Sequence, residues 1–218
     1  MQKQSTPDLP IGLFGGTFDP VHSGHLRAAL EIHQNIPLKE VRFIPCRQPV
    51  HKAAPLASPE QRLAMLQLAI APHSMFSIDE RELKRKSPSY MVETLESIRE
   101  EEPKTSLCLI LGTDALVDFC SWHRWEDILK LAHLVVARRL GYPAIPSTGK
   151  IAEVIQEHRC LYPEHLHHAP AGHIFFQAIT TLDITSTQIR NDVMINRSPK
   201  YLIPDTVEAY ITKERVYL

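Results

Sequence analysis

The stretch Gly15-Gly16-Thr17-Phe18-Asp19-Pro20-Val21-His22-Ser23-Gly24-His25 limits this chain more than any other part of it. It follows a short apolar run, Ile11 to Phe14, that reads as a strand, and precedes Leu26 to Ile32, which reads as a helix. A strand, a glycine turn and a helix start form the place where an α/β fold holds phosphates. The first helical N–H groups and the helix dipole both face the turn there. His22 and His25 stand three residues apart and share about one face near that N-terminus. Gly24 between them leaves no side chain in the way of a phosphate. The spacing is neither that of a P-loop, which needs Gly-Lys-Ser/Thr, nor the G-x-G-x-x-G dinucleotide fingerprint. Two histidines at a glycine turn can also simply cap a helix. A metal would need a third ligand, and none is evident nearby, so no metal site is expected.

The rest of the sequence fits an α/β protein. Its 218 residues suffice for one sizeable domain or two small ones, and no boundary is visible, so residues 1–218 read as a single domain. With 44% hydrophobic and 22% charged residues it has the balance of a globular chain with a buried core. A net charge of −1, with histidine neutral, gives no general attraction to nucleic acid or to an anionic membrane. The segment Met1 to Pro10 is polar and lacks the apolar core of a signal peptide, and no run reaches transmembrane length. A cytoplasmic location is expected. Cys46, Cys108, Cys120 and Cys160 form no C-x-x-C pair and read as thiols in a reducing compartment, with Cys108 in the core.

Further strand candidates are Val41 to Pro45, Leu107 to Leu111 and Leu134 to Ala137, with shorter ones at Phe76 to Ile78 and Ile174 to Gln177. The longer runs lack clean alternation, as in parallel strands buried on both faces. Helical patterns lie between them. Ser58-Pro59-Glu60-Gln61 opens one with a cap residue, a proline at the first position and a capping-box glutamine. Leu63, Leu66, Ala69 and Ile70 give it an apolar face. Met91 to Glu101 and Trp125 to Leu131 are two more, and Thr185 to Arg215 reads as two helices around the loop Ser198 to Pro204. Leu140 to Gly149 reads as a loop. Strands alternating with helices predict a doubly wound, mostly parallel sheet with C-terminal helices.

Several other stretches carry chemistry. Pro49-Val50-His51-Lys52 follows the second strand, where a lysine can neutralise phosphate charge; by itself it is a solvated loop lysine. Leu111-Gly112-Thr113-Asp114 ends a strand. Its glycine permits close approach of a ligand, and Asp114 can accept from ribose hydroxyls or cap the next helix. Trp122 and Trp125 follow, as stacking surfaces or as core rings. Thr185-Ser186-Thr187-Gln188-Ile189-Arg190 sets hydroxyls at a helix start, with a capping-box spacing from Thr185 to Gln188 and a permanent charge one turn on. That reads as a second anion site in the making. His158, His165, His167, His168 and His173 crowd one region, match no zinc spacing and read as solvated.

With these motifs in hand, the chain resembles the bacterial nicotinate-nucleotide adenylyltransferases, members of the HxGH nucleotidyltransferase superfamily. The resemblance runs from Ile11 to about Tyr217. His22 and His25 match the histidines of the superfamily's phosphate loop, which is specific for the superfamily and not for the substrate. Ile184 to Arg190 resembles the family's I-S-x-T-x-I-R segment. Asp79 to Arg85 and Ser87-Pro88-Ser89-Tyr90 look like its nicotinate-side segment, and Gly112, Asp114, Trp122, Arg138-Arg139 and Gly141-Tyr142 also match. The chain departs from the family at Met91, where threonine is usual and its hydroxyl helps hold the nicotinate carboxylate. It departs again at His123 for an aromatic, Thr185 for serine and Leu140 for proline.

The resemblance implies a Rossmann-like nucleotidyltransferase fold and the reaction of ATP with nicotinate mononucleotide to give nicotinate adenine dinucleotide and pyrophosphate. It implies that His22, His25, Lys52 and Arg190 serve catalysis. Gly15, Gly16, Thr17, Phe18, Ile184, Thr185 and Thr187 would join the histidines and Arg190 in holding ATP. Lys52, Tyr90, Met91, Gly112, Asp114, Trp122 and Arg138 would hold the mononucleotide. Mg²⁺ would arrive with ATP and keep most of its waters. The expected partners are these small molecules, with no nucleic acid or membrane and with a homo-oligomer left open. The competing readings are another HxGH enzyme, such as a pantetheine-phosphate adenylyltransferase or a cytidylyltransferase, and a nucleotide-binding regulator without catalysis. The Ser-Pro-Ser-Tyr segment, Trp122 and the intact histidine pair argue against them.

Overall fold

The computed structural model describes residues 9–49, 53–139 and 146–218. Its strands are β1 (Ile11–Gly16), β2 (Glu40–Pro45), β3 (Phe76–Ile78), β4 (Leu107–Gly112), β5 (His133–Arg139) and β6 (Ile174–Ile179). They form one six-stranded sheet in the order β3-β2-β1-β4-β5-β6, and every pairing is parallel. The chain winds outward from β1 in one direction and from β4 in the other. The carboxyl end of β1 therefore borders a crevice that no crossover covers, where open α/β sheets bind ligands.

Side chains alternate across the sheet and enter two cores. Leu13, Leu109, Leu111, Leu134 and Val136 face one side; Cys108, Ile110, Val135 and Ala137 face the other. The first layer is closed by α4 (Met91–Glu101), α5 (Thr113–Val117), α6 (Trp125–Leu131) and α7 (Lys150–His158). The second is closed by α1 (Ser23–Asn35), α2 (Pro59–Ile70), α8 (Ser186–Met194) and α9 (Asp205–Lys213). A single turn, α3 (Arg81–Lys84), follows β3. Burial within the Cys108 core pushes its thiol up to about 12, so it is inert.

The expected elements are all present, with differences that have local causes. Helix α1 begins at Ser23 because His22 takes the extended cap conformation. Ser58 caps α2 as expected: its hydroxyl accepts from Gln61 N at 3.2 Å, and the Gln61 side chain accepts from Ser58 N at 2.9 Å. The buried face of α2, however, is Arg62, Met65, Leu66, Ala69 and Ile70, so Arg62 and not Leu63 leads the stripe. Asp114 is not a cap; Gly112 holds that position and Asp114 lies in the first turn of α5. Helix α7 adds an apolar face, Ile151, Val154 and Ile155; the expected loop Leu140 to Gly149 lies in large part outside the described residues.

The histidine-rich region is mixed: His165 and His168 are exposed, as expected, while His158, His167 and His173 are half-buried. His133, at the start of β5, is fully buried and stacks on His173 with centroids 5.2 Å apart and planes at 2°. His173 N donates to His133 Nδ1 at 2.9 Å, so the ring proton sits on Nε2, which donates to Ala169 O at 2.8 Å. His158 Nδ1 lies 2.8 Å from Gly172 O. Burial, with His173, Arg99 and His167 nearby, lowers the His133 pKa to about 4.

An imidazole held neutral in the fold but free to charge when unfolded gives the unfolded state more protons between its ordinary pKa of 6.5 and about 4. Stability should be complete above that window and fall through it on acidification, by up to about 3 kcal/mol from this group. Urea midpoints at pH 7 and pH 5 check this. His133→Gln, which keeps a donor and an acceptor without a titrating charge, should flatten the difference; an unchanged difference would remove His133 as its source.

Candidate active site

The loop after β1 is held at close quarters by rings. Phe18 is buried with a positive φ of 50°, and its ring covers Gly16, where a Cβ would come within 2.8 Å of it. His22 caps α1 and is 4% exposed; its ring lies parallel to that of His25, with centroids 3.6 Å apart and planes at 26°. His22 N donates to His25 Nδ1 at 3.2 Å, which fixes the second ring against the first. The His25 ring also meets Phe18 edge-on at 5.2 Å. A Cβ on Gly24 would lie 3.0 Å from the His22 ring, so the glycine serves the histidine stack as well as any ligand. The histidine pair is thus a rigid unit at a helix N-terminus.

The second hydroxyl-rich segment meets this loop directly. Thr185 caps α8, its hydroxyl accepting from Gln188 N at 3.1 Å. Ser186 Oγ donates to Pro20 O at 2.9 Å. Arg190 Nη1 donates to Asp19 O at 2.7 Å and Nη2 to Thr187 Oγ1 at 3.2 Å. Ile184 lies against the position of Gly24. The N-termini of α1 and α8 therefore open beside the same turn, with Arg190 between them.

Asp19 organises that turn, and the sequence reading passed over it. It is 4% exposed. Its Oδ2 accepts from Leu56 N at 2.9 Å and its Oδ1 from Ala57 N at 3.1 Å and from Tyr217 Oη at 2.7 Å. Burial and this carboxylate push the Tyr217 hydroxyl well above its ordinary pKa, so it remains a donor. Arg62 supports the turn from beneath: it is 0% exposed, and its Nη1 donates to Thr17 O and Cys46 O, each at 2.7 Å. The sequence signal for Arg62 was a charge on the apolar face of α2, in register with Met65, Leu66 and Ala69.

The mononucleotide-side candidates lie across β1. Tyr90 caps α4 and its ring lies 4.6 Å from that of His123. Tyr90 N donates to Pro88 O at 3.0 Å, so the outward donors begin at Met91. The Met91 methyl covers Gly15, where a Cβ would come within 2.8 Å of it. Gly112 closes β4, and the exposed Asp114 folds its carboxylate back over it. Trp122 is half-buried, 5.7 Å from Phe119. Arg138 is exposed near the end of β5. Beneath this segment Glu82 is buried, and burial raises its pKa; it accepts from Thr94 Oγ1 at 2.7 Å. Lys52, Leu140 and Gly141-Tyr142 lie outside the described residues.

Known proteins resemble this chain in sequence and in fold. The cytidylyltransferase-like family matches residues 13–192. A protein of Methylococcus capsulatus named "Probable nicotinate-nucleotide adenylyltransferase" is 47% identical over 208 residues, covering 95% of this chain and 99% of its own length. One of the same name from Acidithiobacillus ferrooxidans is 39% identical over 217 residues, covering 100% and 99%. The fold matches that of the Plasmodium falciparum nicotinic acid mononucleotide adenylyltransferase complexed with NaAD, with a TM-score of 0.72 at 18% identity over 96% of this chain and 97% of the other. The same enzyme complexed with APC gives 0.70. Matches of this extent place the chain in the cytidylyltransferase-like family and, within it, among the nicotinate-nucleotide adenylyltransferases.

Proposed function

We propose that this chain transfers the adenylyl group of ATP to nicotinate mononucleotide, releasing nicotinate adenine dinucleotide and pyrophosphate, as a single nucleotidyltransferase domain in the cytoplasm. One observation carries the reading: two helix N-termini, the stacked pair His22–His25 and the Arg190 guanidinium converge on one turn at the switch point of a parallel sheet. That arrangement suits a polyphosphate. The names of the relatives supply the acceptor.

The chemistry asks little of a base. The mononucleotide phosphate is already a nucleophile at neutral pH. One of its oxygens forms a bond to the α-phosphorus of ATP, and the bond from that phosphorus to the bridging oxygen breaks, with pyrophosphate leaving. The protein must hold two anions together and stabilise charge on the α-phosphate and the leaving group. In this reading Gly15, Gly16, Thr17 and Phe18 shape the phosphate turn. His22 and His25 donate to the phosphates, and Ile184, Thr185, Thr187 and Arg190 hold the ATP side, with Lys52 as a further cation. Gly112 and Asp114 take the ribose of the mononucleotide, Trp122 its pyridine ring, Arg138 its charge, and the first-turn amides of α4 at Met91 the carboxylate.

Mg²⁺ enters as part of the ATP substrate. Among the described residues no three His, Cys, Asp or Glu side chains converge to hold an ion. Asp19, the carboxylate of the phosphate turn, has both oxygens engaged. When bound, the ion would take most of its ligands from phosphate oxygens and water.

Two tests follow from these roles. His25→Ala should keep the fold, by circular dichroism, while kcat for pyrophosphate release falls about tenfold to a thousandfold, as for loss of a transition-state donor. A folded, fully active variant would dismiss the histidine pair. The second test compares kcat/KM for the acid and amide mononucleotides within a panel of phosphorylated acceptors. The N-terminus of α4 favours an anion over a neutral amide, so the acid should be preferred. Met91→Thr should widen the preference by about tenfold, the worth of one hydrogen bond to a charged group. A preference for the amide would overturn the acceptor assignment.

A further inference from the structure

We infer that Arg62 is a positioning residue that sets the phosphate turn and the mononucleotide side in one register. The inference rests on the reading of these two sides given above and adds a residue that neither side contains.

Arg62 lies on the core face of α2 with no solvent exposure. A guanidinium there is costly, since burial of a charge is favourable only when its hydrogen bonds are well made. An apolar residue at this position would pack with Met65 and Leu66 at no such cost. Its partners explain the charge. Nη1 donates to Thr17 O and Cys46 O at 2.7 Å each, and Nη2 donates to Arg47 O at 3.2 Å. All three acceptors are main-chain carbonyls, and among the described residues no carboxylate forms an ion pair with it. Nε has no partner among the described residues.

The carbonyls belong to two different loops. Thr17 follows β1 and lies in the phosphate turn; Cys46 and Arg47 follow β2. The second loop continues into the mononucleotide side. Arg47 N donates to Ser89 Oγ at 3.2 Å, Ser89 N donates to Gln48 O at 3.3 Å, and Arg47 Nη1 donates to Leu83 O at 2.8 Å. Ser89 precedes Tyr90 and Met91, the start of α4. One planar fork thus joins the turn that faces ATP to the strap that carries the acceptor's carboxylate donors. A fork can hold carbonyls on two loops at fixed angles; an ammonium cannot. Its charge also lies beneath the phosphate turn with no direct ion pair among the described residues, where a preformed positive potential is useful.

The test compares Arg62→Lys and Arg62→Met with the wild type in pyrophosphate release, varying ATP and the mononucleotide separately. Lysine keeps the charge and loses the fork; methionine keeps much of the volume and loses both. In folded Arg62→Lys, kcat should fall about tenfold to a hundredfold, as for misplacement of reacting groups, and KM should rise for both substrates. Methionine should do more. A residue that only fills the core would leave kcat and both KM values of the folded fraction unchanged. Values within twofold of wild type, or a rise in KM for one substrate alone, overturn the inference. Hydrogen exchange of the wild-type enzyme decides the matter even if both variants fail to fold. ATP alone should slow exchange at the Arg47 and Ser89 amides, and unchanged rates there overturn the inference. Failure of the wild type to use nicotinate mononucleotide would instead count against the acceptor assignment. The same comparison then runs with whichever acceptor the panel identifies.

Discussion

The Asp19 carboxylate is the interaction around which the site is assembled. It is almost fully buried and accepts from two consecutive amides, Leu56 and Ala57, ahead of α2, and from the hydroxyl of Tyr217, close to the end of the chain. Its own carbonyl accepts from Arg190 of α8. Segments nearly two hundred positions apart meet at one residue of the phosphate turn, Tyr217 lying 198 residues from Asp19. Removing a partner from such a group would leave a buried acceptor incompletely satisfied, a loss of about 1–3 kcal/mol. The turn is therefore determined by tertiary structure, although its glycines and aromatics read as a local motif.

The doubly wound topology brings helix N-termini from both faces of the sheet to one short turn. Helices α1 and α8 lie on one face of the sheet and α4 and α5 on the other. Their N-termini meet only at the carboxyl ends of β1 and β4, the central pair of the sheet. Gly15 sits between the two faces and is covered by the Met91 methyl. A larger residue at position 15 would meet the Met91 methyl and make that flexible side chain move, so the glycine couples packing across β1 to the first residue of α4.

The general architecture was legible in the sequence because buried parallel strands are continuous apolar runs and helices begin with recognisable caps. Ser58 to Gln61 specified the start of α2 through side-chain hydrogen bonds that the structure contains. What was not legible depends on tertiary partners. Arg62 was passed over in favour of Leu63 because an apolar stripe is assigned by hydropathy, whereas a guanidinium can occupy it when carbonyls from two loops converge. Asp114 looked like a cap, but Gly112 already has the extended conformation that a cap needs. His133, one residue before the expected strand Leu134 to Ala137, received no reading, and the other histidines were read as loop residues. Their stacking comes from β5 and β6 lying side by side, which no spacing encodes.

A common device links the cations of the site. Arg62 donates to carbonyls of Thr17, Cys46 and Arg47, and Arg190 to the carbonyl of Asp19 and the hydroxyl of Thr187. The nearby carboxylate of Asp19 makes its close contacts with neutral donors, and the Arg190 guanidinium stands 3.7 Å from it. Carbonyl acceptors fix both guanidinium groups in place; the Asp19 carboxylate, 3.7 Å from Arg190, offsets part of that group's charge without the bidentate contact that would neutralise it fully. The positive potential is thus held rigid before any ligand arrives. A site that must draw two anions together needs that order of events, since charge that has to rearrange during the reaction stabilises the transition state less than charge already in place.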